Sequence, residues 1–530
     1  MRRWNGWGEA EQSVALGSQA LAFLRERIGP GQASPEAELD AVLRHVAASR
    51  LQLAGFDVSP ETRLRHARGH SYRDWLALKY GRIGPVADAV ASPATHEEAR
   101  GLLQQAREAG AVVIPWGGGT SVVGHLDVPV DSDRPVLNLS LQHMNRLLDC
   151  DSTTRLARFG AGVAGPQIEA QLRDLGLMLG HYPQSFEYST LGGWVVTRSS
   201  GQQSLRYGRI EQLFAAGRLA TARGDLEVGG VPASSAGPDL REFVLGSEGR
   251  LGVLTEATVR LRPLPEREDF HAVFFPTWDQ GVLAVRNLVQ ADLPLSMLRL
   301  SNESETETQL TLSGHDKAIT WLKRYLKLRG SGVKPVMLVM GVTGLNREVL
   351  RTRRESLTVC KLARGVHAGR MIGAGWAKNR FRGPYLRNAL WEAGYGADTV
   401  ETCVNWPQLT PLMRAIEQAA TDVMAQDDER VHAFTHLSHV YRQGCSLYST
   451  FVFRSAADYE QDLARWQRLK ARLSQTVVAH GGTISHQHGV GTDHAPYLAA
   501  EKGALGMDLI RAVARELDPD RMMNPGKLFA

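Results

Sequence analysis

Three glycine-rich segments, each next to a β-rich run, constrain this sequence more than any other feature. The first is PWGGGTSVVG at 115–124, after the apolar run AVVI, and the second is YPQSFEYSTLGGWVVTRSSGQQSLRYG at 182–208. The third is VLGSEGRLGVLTEATVRLRP at 244–263. Glycines allow backbone amides to turn toward an anion, and neighbouring hydroxyls add donors. Each segment alone is also an ordinary turn, but three of them favour one ligand that the backbone approaches closely.

The order of sequence patterns predicts an α+β chain of several domains. At 530 residues the chain is too long for a single ordinary core. Residues 9–80 have an amphipathic helical pattern, and Thr95 and Glu98 have the spacing of a capping box at the start of a helix that Gly110 ends. From about 265 longer apolar strands alternate with helices, and the tail from 466 is predicted to be helical apart from one histidine-rich loop.

Composition excludes several classes of protein. The net charge is only +5 with a pI near 9.0, and no run of five basic residues occurs, so a nucleic-acid partner is not expected. Cysteines 150, 360, 403 and 445 form no C-x-x-C pair, which argues against a disulfide framework or structural zinc. The opening MRRWNGWGEAEQS lacks the apolar core of a signal peptide. We therefore expect a cytoplasmic protein.

A second unusual feature is the segment GGTISHQHGVGTDHAPYL at 481–498, with His486 and His488 one residue apart. On a strand the two imidazoles would share one face and form half of a metal site, and His436 and His439 would supply the rest. The same histidines are also consistent with a glycine-rich loop in which they are simply hydrogen-bonded. No cysteine or carboxylate cluster accompanies them in the sequence, so we predict no metal.

The glycine-rich segments together resemble the FAD-binding domain of the vanillyl-alcohol oxidase flavoproteins. Within that group the chain resembles the alkyldihydroxyacetonephosphate synthase family over nearly its whole length, through RWNGWG at 3–8, LRLSN at 298–302, YLRNALWEAGYGADTVET at 385–402, GCSLYSTF at 444–451 and SHQHGVG at 485–491. The implied fold is a two-subdomain FAD-binding domain plus an antiparallel-sheet cap domain with flanking helices. Its expected parts are a helical region at 1–80, the FAD-binding domain at 81–265, the cap at 266–465 and a helical region with the histidine loop at 466–530.

The resemblance implies FAD as the cofactor, bound noncovalently because no histidine lies inside GGGTS. His125, just beyond that loop, is interpreted as a surface or loop histidine. Gln184 stands where the family often has aspartate. The residues expected to hold FAD are Pro115, Trp116, Gly117, Gly118, Gly119, Thr120, Ser121, Gln184, Ser185, Phe186, Glu187, Tyr188, Ser189, Thr190, Thr197, Arg198, Ser199, Ser200, Glu248, Gly249, Arg250, Leu251, Gly252, Val253 and Leu254.

The resemblance also implies roles for five further residues. Tyr448 matches the tyrosine that takes a proton from C1 of the substrate, and Arg387 matches the arginine that binds the phosphate of dihydroxyacetone phosphate. Arg299, His486 and His488 match residues needed for activity, whereas Gln487 replaces a family histidine and cannot carry a proton at neutral pH. A phenol has a pKa near 10, so a tyrosine base needs a nearby cation, for which Arg387 and the imidazoles are the expected candidates.

Without the resemblance these residues have simpler interpretations. Tyr448 lies on an apolar strand and is typical of a core residue, and the two arginines are equally typical of a solvated helix face or an ion pair.

Two activities follow from this interpretation. The first is the exchange of the acyl group of acyl-dihydroxyacetone phosphate for a fatty alcohol, which makes an ether lipid precursor without net redox. The alternative is an FAD-dependent oxidoreductase of D-2-hydroxy acids, in which Arg387 would hold the carboxylate and a histidine would be the base. Either way the partner is a small molecule with a phosphate or carboxylate. A homodimer and peripheral membrane contact are expected from the resemblance alone.

Overall fold

The computed structural model describes residues 1–12, 14–130, 132–312 and 316–529. Its strands are β1 Ala89–Ala91, β2 Val112–Trp116, β3 Val136–Ser140, β4 Leu147–Asp151, β5 Leu156–Gly160, β6 Leu177–Met178, β7 Phe214–Thr221, β8 Gly224–Gly229, β9 Val253–Arg260, β10 Arg262–Pro263, β11 Arg267–Phe275, β12 Met297–Ser301, β13 Val336–Gly344, β14 Val366–His367, β15 Tyr395–Asn405, β16 Val431–Val440 and β17 Gly444–Arg454.

The helices connect and cover these strands. They are α1 Ser18–Ile28, α2 Leu39–Leu43, α3 Pro60–Arg65, α4 Tyr72–Lys79, α5 His96–Glu108, α6 Gly165–Arg173, α7 Leu191–Thr197, α8 Ser204–Tyr207, α9 Ile210–Leu213, α10 Arg241–Val244, α11 Trp278–Gln290, α12 Glu303–Leu312, α13 Asp316–Leu328, α14 Asn346–Leu362, α15 Met371–Asn379, α16 Leu386–Glu392, α17 Trp406–Ala425, α18 Tyr459–Ala479 and α19 Ala495–Leu517, with a 3-10 turn at Gly383–Tyr385.

Strands before residue 264 build the half of the molecule that carries the glycine-rich segments. A parallel sheet has the order β1-β3-β2, an antiparallel sheet has the order β4-β5-β9-β7-β8, and β6 pairs with β10. A common core joins α5, α6 and α7 to these sheets through residues such as Phe159, Leu191 and Val259. The two sheets are the two subdomains that the resemblance implied.

The α5–β2 unit places the first glycine-rich segment, and the predicted helix with its Thr95 cap is confirmed, whereas the second hydrogen bond of the capping box is not formed. The Thr95 hydroxyl accepts the Glu98 amide at 3.1 Å, and Gly110 takes φ +65° just after the helix ends. The Glu98 carboxylate bonds the amide of Ala94 rather than that of Thr95. β2 then runs parallel to β3, and the chain leaves its end at Trp116 directly into the glycines.

The second half is a seven-stranded antiparallel sheet of order β14-β11-β13-β12-β16-β17-β15. Helices cover both of its faces, because β13 is buried at nearly every position and packs on two separate apolar clusters. In the pairing of β15, β16 and β17, Glu401 and His436 both lie opposite Tyr448. Residues directly opposite in an antiparallel pair point to the same face, so these three side chains form one row.

The two ends of the chain are less regular than predicted. Within residues 1–12 and 14–80 the helices are α1 to α4, with long loops between them, because short polar and proline-containing stretches interrupt the amphipathic pattern. In the tail, α18 already begins at Tyr459, and α19 is kinked where Gly503 takes φ +69°. Among the described residues, no helix is long and apolar enough to cross a bilayer.

Candidate active site

One large cavity lies between the two halves of the molecule. Its volume is about 510 Å³, and all three glycine-rich segments contribute to its wall together with residues of β15, β16 and β17. Of the residues expected to hold FAD, the cavity is lined by Pro115, Trp116, Gly117, Gly118, Gly119, Thr120, Ser121, Gln184, Ser185, Ser189, Thr190, Thr197, Ser199, Glu248, Gly249, Gly252 and Leu254. Segments that are far apart in sequence thus meet around one space.

The loop after β2 has the properties of an anion cradle. Within the part of the chain that the structure describes, no protein acceptor bonds the backbone amides of Gly118, Gly119 and Thr120. A Cβ on Gly118 would lie 1.9 Å from the carbonyl oxygen of Tyr188, so only glycine fits at this position. These free amides beside a glycine-rich backbone fit the diphosphate of a dinucleotide.

The second segment meets this loop at the start of α7. The Thr190 hydroxyl accepts the amide of Gly193 at 3.4 Å, and the Ser189 hydroxyl accepts the indole N–H of Trp194 at 2.7 Å. A Cβ on Gly117 would lie 2.4 Å from the Thr190 hydroxyl oxygen. The first and second segments therefore pack backbone against side chain, which brings the start of a helix to the cavity.

The third segment contributes Glu248, whose carboxylate ties two loops together. Its oxygens accept the amides of Val490 and Gly491, and the Nε2 atom of His125 lies 3.1 Å from Oε2. His125 also bonds the Ser121 hydroxyl through Nδ1 at 2.7 Å, and it is buried in the cavity wall. His125 is therefore a loop histidine, one of the two predicted alternatives, but it is buried and does not lie at the surface.

Other predicted cofactor residues lie behind the wall, because neighbouring side chains along a segment point in different directions. Phe186 stacks on Phe381 with ring centroids 5.0 Å apart, and the Arg250 guanidinium donates to the Met523 carbonyl at 2.7 Å. The predicted residues that do not line the cavity are Phe186, Glu187, Tyr188, Arg198, Ser200, Arg250, Leu251 and Val253.

Tyr448 and Arg387 both reach the cavity. The Tyr448 hydroxyl lies 3.4 Å from Gln184 Oε1 and 3.4 Å from Thr399 Oγ1. Burial raises the pKa of Tyr448 to about 12. The Arg387 guanidinium donates to the His70 carbonyl at 2.6 Å and stacks 4.6 Å above the Trp75 ring. Burial lowers the pKa of Arg387, but a guanidinium still stays charged at neutral pH, and this poorly solvated cation can pair with an anionic ligand.

Arg299 belongs to a buried ion-pair cluster beside Tyr448. Its guanidinium lies 2.6 Å from Glu305 Oε1, and His436 Nδ1 lies 3.1 Å from the same oxygen. Although burial opposes ionisation of Glu305, His436 and Arg299 bring its pKa down to about 2. His436 stacks on Tyr448 with centroids 5.0 Å apart, and the positive charge of Arg299 lowers the pKa of the phenol. The Arg299 guanidinium in this cluster is thus a positive charge that favours the phenolate form of Tyr448.

The two histidines of the 485–491 loop do not share a face, because this segment is a loop rather than a strand. His488 lines the cavity, with its ring perpendicular to Tyr448 at 5.9 Å. His486 points away, toward a second cavity of about 540 Å³, and its Nε2 lies 2.7 Å from both Arg209 and the Tyr441 hydroxyl. Of the two histidines predicted to be needed for activity, His488 thus lies at this cavity and His486 lines the second one.

Behind the loop, ligand atoms of Glu401, His439 and His486 lie within 4.8 Å of one another, a spacing compatible with a metal ion. Sequence spacing did not reveal this group, since Glu401 lies far from the histidines in the chain. The Arg209 cation beside His486 opposes a second positive charge there. The Glu401 carboxylate already accepts hydrogen bonds from the Ser438 hydroxyl at 2.6 Å and from the Gln487 amide at 2.6 Å.

An apolar arm extends the cavity beyond Tyr448. The walls of this arm come from α1, α12, α16 and the outer parts of β16 and β17. The apolar side chains in it are Leu16, Phe23, Leu24, Leu312, Leu386, Leu390, Phe434 and Val452. The cavity thus has a polar, cationic centre and an apolar end.

Sequence reasoning missed Glu401, Glu305, Arg209 and Thr399, which complete the site. Glu401 and Glu305 are fully buried carboxylates, but their partners lie on other strands or loops, so no local pattern marks them. Arg209 lies near the second glycine-rich segment, and only its contact with the distant His486 gives it significance.

Comparisons with known proteins agree with this geometry. Residues 87–230 match the FAD binding domain, and residues 264–528 match the C-terminal domain of FAD linked oxidases. The chain is 32% identical to alkyldihydroxyacetonephosphate synthase of Dictyostelium discoideum over 476 residues, covering 88% of this chain and 77% of the relative. A solved structure of alkyldihydroxyacetonephosphate synthase superposes with a TM-score of 0.82 at 25% identity, covering 99% of this chain and 98% of the other. Glycolate oxidase subunit GlcD of Bacillus subtilis (strain 168) is 26% identical over 84% of this chain and 89% of its own length.

The fold and the glycine-lined cavity define an FAD-binding flavoprotein of the FAD-linked oxidase type. FAD is its cofactor, and the free amides after β2 fit the diphosphate of this dinucleotide. Within that class, the chain belongs to the alkyldihydroxyacetonephosphate synthase family.

Proposed function

We propose that this protein is an FAD-dependent alkylglycerone-phosphate synthase that exchanges the acyl group of acyl-dihydroxyacetone phosphate for a fatty alcohol. The observation that carries the proposal is the cavity itself. It combines free amides for a dinucleotide, a buried arginine and a tyrosine at its centre, and an apolar arm beyond them. An anionic head group with a long chain matches this order of surfaces.

The residues divide the work as follows. Arg387 binds the phosphate, for which a guanidinium fork is suited. Tyr448 accepts the C1 proton, helped by the positive charge of Arg299. His488 lies beside the phenol and can hold or return a proton there. The hydrocarbon chains occupy the arm between α1, α12 and β17, where water is excluded.

The exchange balances without an external oxidant or reductant. The bond between C1 and the acyl oxygen breaks, a bond between C1 and the alcohol oxygen forms, and the fatty acid leaves with both of its oxygens. The alcohol proton is released, and Tyr448 returns the proton that it took from C1. When bound, FAD supplies the electrophile of the exchange and undergoes no net oxidation or reduction.

A direct test compares the two activities open to this scaffold. The FAD-loaded protein, kept anaerobic, is mixed either with acyl-dihydroxyacetone phosphate and a labelled fatty alcohol, or with D-lactate or glycolate. We expect the label to enter an ether product while the flavin stays oxidised, and we expect no bleaching by the hydroxy acids. Bleaching by D-lactate or glycolate without ether formation would overturn the proposal in favour of an oxidoreductase of D-2-hydroxy acids.

We also propose peripheral contact with an anionic membrane through α13, near the apolar arm of the cavity. Trp321 is 73% exposed and Leu328 is 86% exposed on this helix, and Lys323, Arg324 and Lys327 lie among them. Leu312, at the end of α12, lines the arm. An aromatic and basic surface of this kind binds anionic lipid interfaces.

Co-sedimentation with phosphatidylserine vesicles tests this surface. Trp321→Ser should weaken binding, whereas Leu175→Ser, which changes an exposed leucine on the other half of the molecule, should not. Equal binding by both variants would argue against α13. The cytoplasmic location and the homodimer stay predictions from the sequence.

A further inference from the structure

The side chain of Glu401 is fully buried in the middle of β15, directly opposite Tyr448 on β17. A buried carboxylate is tolerated only when donors surround it. Oε1 receives the Ser438 hydroxyl at 2.6 Å and lies 3.2 Å from His486 Nδ1. Oε2 receives the Gln487 amide at 2.6 Å and lies 3.6 Å from His488 Nε2. One carboxylate thus contacts three consecutive residues of the histidine loop.

Arg209 determines how His486 takes part in this arrangement. A guanidinium only donates hydrogen bonds, and it lies 2.7 Å from His486 Nε2. In the neutral imidazole Nε2 therefore accepts, and the proton is on Nδ1, which faces Glu401. His486 thus faces Glu401 with Nδ1, at 3.2 Å from Oε1, and does not line the substrate cavity.

The other end of the loop is tied to the cofactor half of the molecule. Glu248 accepts the amides of Val490 and Gly491, and it also lies beside His125, just after the first glycine-rich segment. His488 is thus placed between two carboxylate anchors. Glu401 contacts the imidazole of His488, and Glu248 fixes the backbone just after this residue.

We propose that Glu401 is a positioning residue that orients the His488 imidazole against Tyr448, and that Gln487 competes with His488 for the same carboxylate oxygen. The proposal rests on the proposed function, in which His488 handles a proton beside the substrate. Gln487 is then a hydrogen-bond donor to Glu401 rather than a lost catalytic histidine. In this loop His488 is the imidazole that acts at the active site, and Glu401 positions it.

The charges around His488 predict the direction in which its pKa changes in each variant. Burial lowers the pKa of His488 most, and the carboxylate of Glu401 is the largest charge that raises it. The other ionisable groups that act on this imidazole or lie against it are Asp398 on β15, His439 on β16, Tyr448 on β17, Lys470 on α18 and His494 after the loop. Loss of the Glu401 charge should lower the pKa, and loss of the Gln487 donor should raise it, since Oε2 then acts on His488 alone.

The test uses the FAD-loaded protein and measures His488 directly. The rate at which diethyl pyrocarbonate modifies His488 is followed against pH by peptide mass spectrometry, with the exposed His143 as an internal reference. In Glu401→Gln the midpoint of the pH profile should move down by about one unit or more. In Gln487→Leu it should move up. Glu417→Gln, which changes a buried glutamate bonded to Thr435 and Asn302 outside the cavity, should leave the midpoint in place.

Activity supplies a second readout. Exchange of the labelled alcohol should fall about 10²-fold in Glu401→Gln with FAD still bound, because a displaced imidazole no longer meets the reacting atoms. If both loop variants keep the parental midpoint, or shift it in the same direction, the proposal fails. A stoichiometric metal ion in the purified parent protein would also overturn it, since Glu401 would then be a ligand. A parent protein without exchange activity would refute only the proposed function, because the modification profile does not depend on substrate.

Discussion

Replacing Tyr448 by phenylalanine removes one hydroxyl from the centre of the cavity and leaves the ring in place. The ring keeps its stacking on His436, at 5.0 Å, and its perpendicular contact with His488, at 5.9 Å. Among the described residues the hydroxyl has two hydrogen-bond partners, both at 3.4 Å, which is the long end of the hydrogen-bond range. The substitution therefore separates the chemistry of the phenol from its packing.

The structure predicts very different magnitudes for stability and for rate. Two long hydrogen bonds contribute little, so the free energy of unfolding should change by less than about 1 kcal/mol. Loss of the proton acceptor should slow the exchange by about 10²- to 10⁴-fold, equivalent to about 3 to 5 kcal/mol of activation free energy. The substitution should therefore change the rate far more than the free energy of unfolding.

The assay measures incorporation of a labelled fatty alcohol, flavin absorbance and urea unfolding on the same preparations. Tyr207→Phe is the matched control, because the Tyr207 hydroxyl is buried, bonds Thr343 at 3.0 Å and lies outside the cavity. It should lose about 1 kcal/mol of stability and keep its rate. Exchange at the parental rate by Tyr448→Phe with FAD bound would refute the assignment of the proton acceptor.

Three further predictions follow from other parts of the site. Gly118→Ala should abolish FAD uptake, because its Cβ would lie 1.9 Å from the Tyr188 carbonyl oxygen. The control Gly101→Ala on α5 meets no neighbouring atom and should still bind FAD. FAD bound to Gly118→Ala would contradict the assignment of this loop as the diphosphate site. Arg387→Lys should raise KM for the phosphate-bearing substrate more than it lowers kcat, since the bidentate fork is lost, and an unchanged KM would argue against phosphate binding there. Because the pKa of Glu305 is lowered to about 2, the stability that it contributes is full above about pH 4.5 and is lost as the pH falls toward 2. Glu305→Gln should therefore reduce the loss of urea stability between pH 4.5 and 2. An unchanged loss would count against the ion pair.

Local sequence patterns predicted the cofactor half well. Thr95, Glu98 and Gly110 marked the helix before β2, and the glycines after β2 identified a cradle, because capping and positive φ depend on neighbours in the chain. The α+β class and the change of character near residue 265 also followed from local periodicity.

The catalytic side of the cavity depended on long-range pairing that no local pattern contains. Glu401 meets Gln487 across 86 positions of sequence, and the sheet order separates strands that are consecutive in the chain. The spacing of His486 and His488 suggested a shared face, but their loop turns one imidazole toward Arg209 and the other toward Tyr448. His125 was interpreted as a surface or loop histidine, and its burial in the loop was not predicted because its partner Glu248 comes from a different segment.

The central claim is that an ester becomes an ether at C1 without net redox. The most direct measurement supplies acyl-dihydroxyacetone phosphate and an oxygen-18-labelled fatty alcohol to the FAD-loaded protein under anaerobic conditions, and follows both mass spectra and flavin absorbance. We predict that the ether product carries the heavy oxygen, that the released fatty acid carries none, and that the flavin is oxidised at the end. An ether without the label, or a flavin reduced in proportion to product, would contradict the claim.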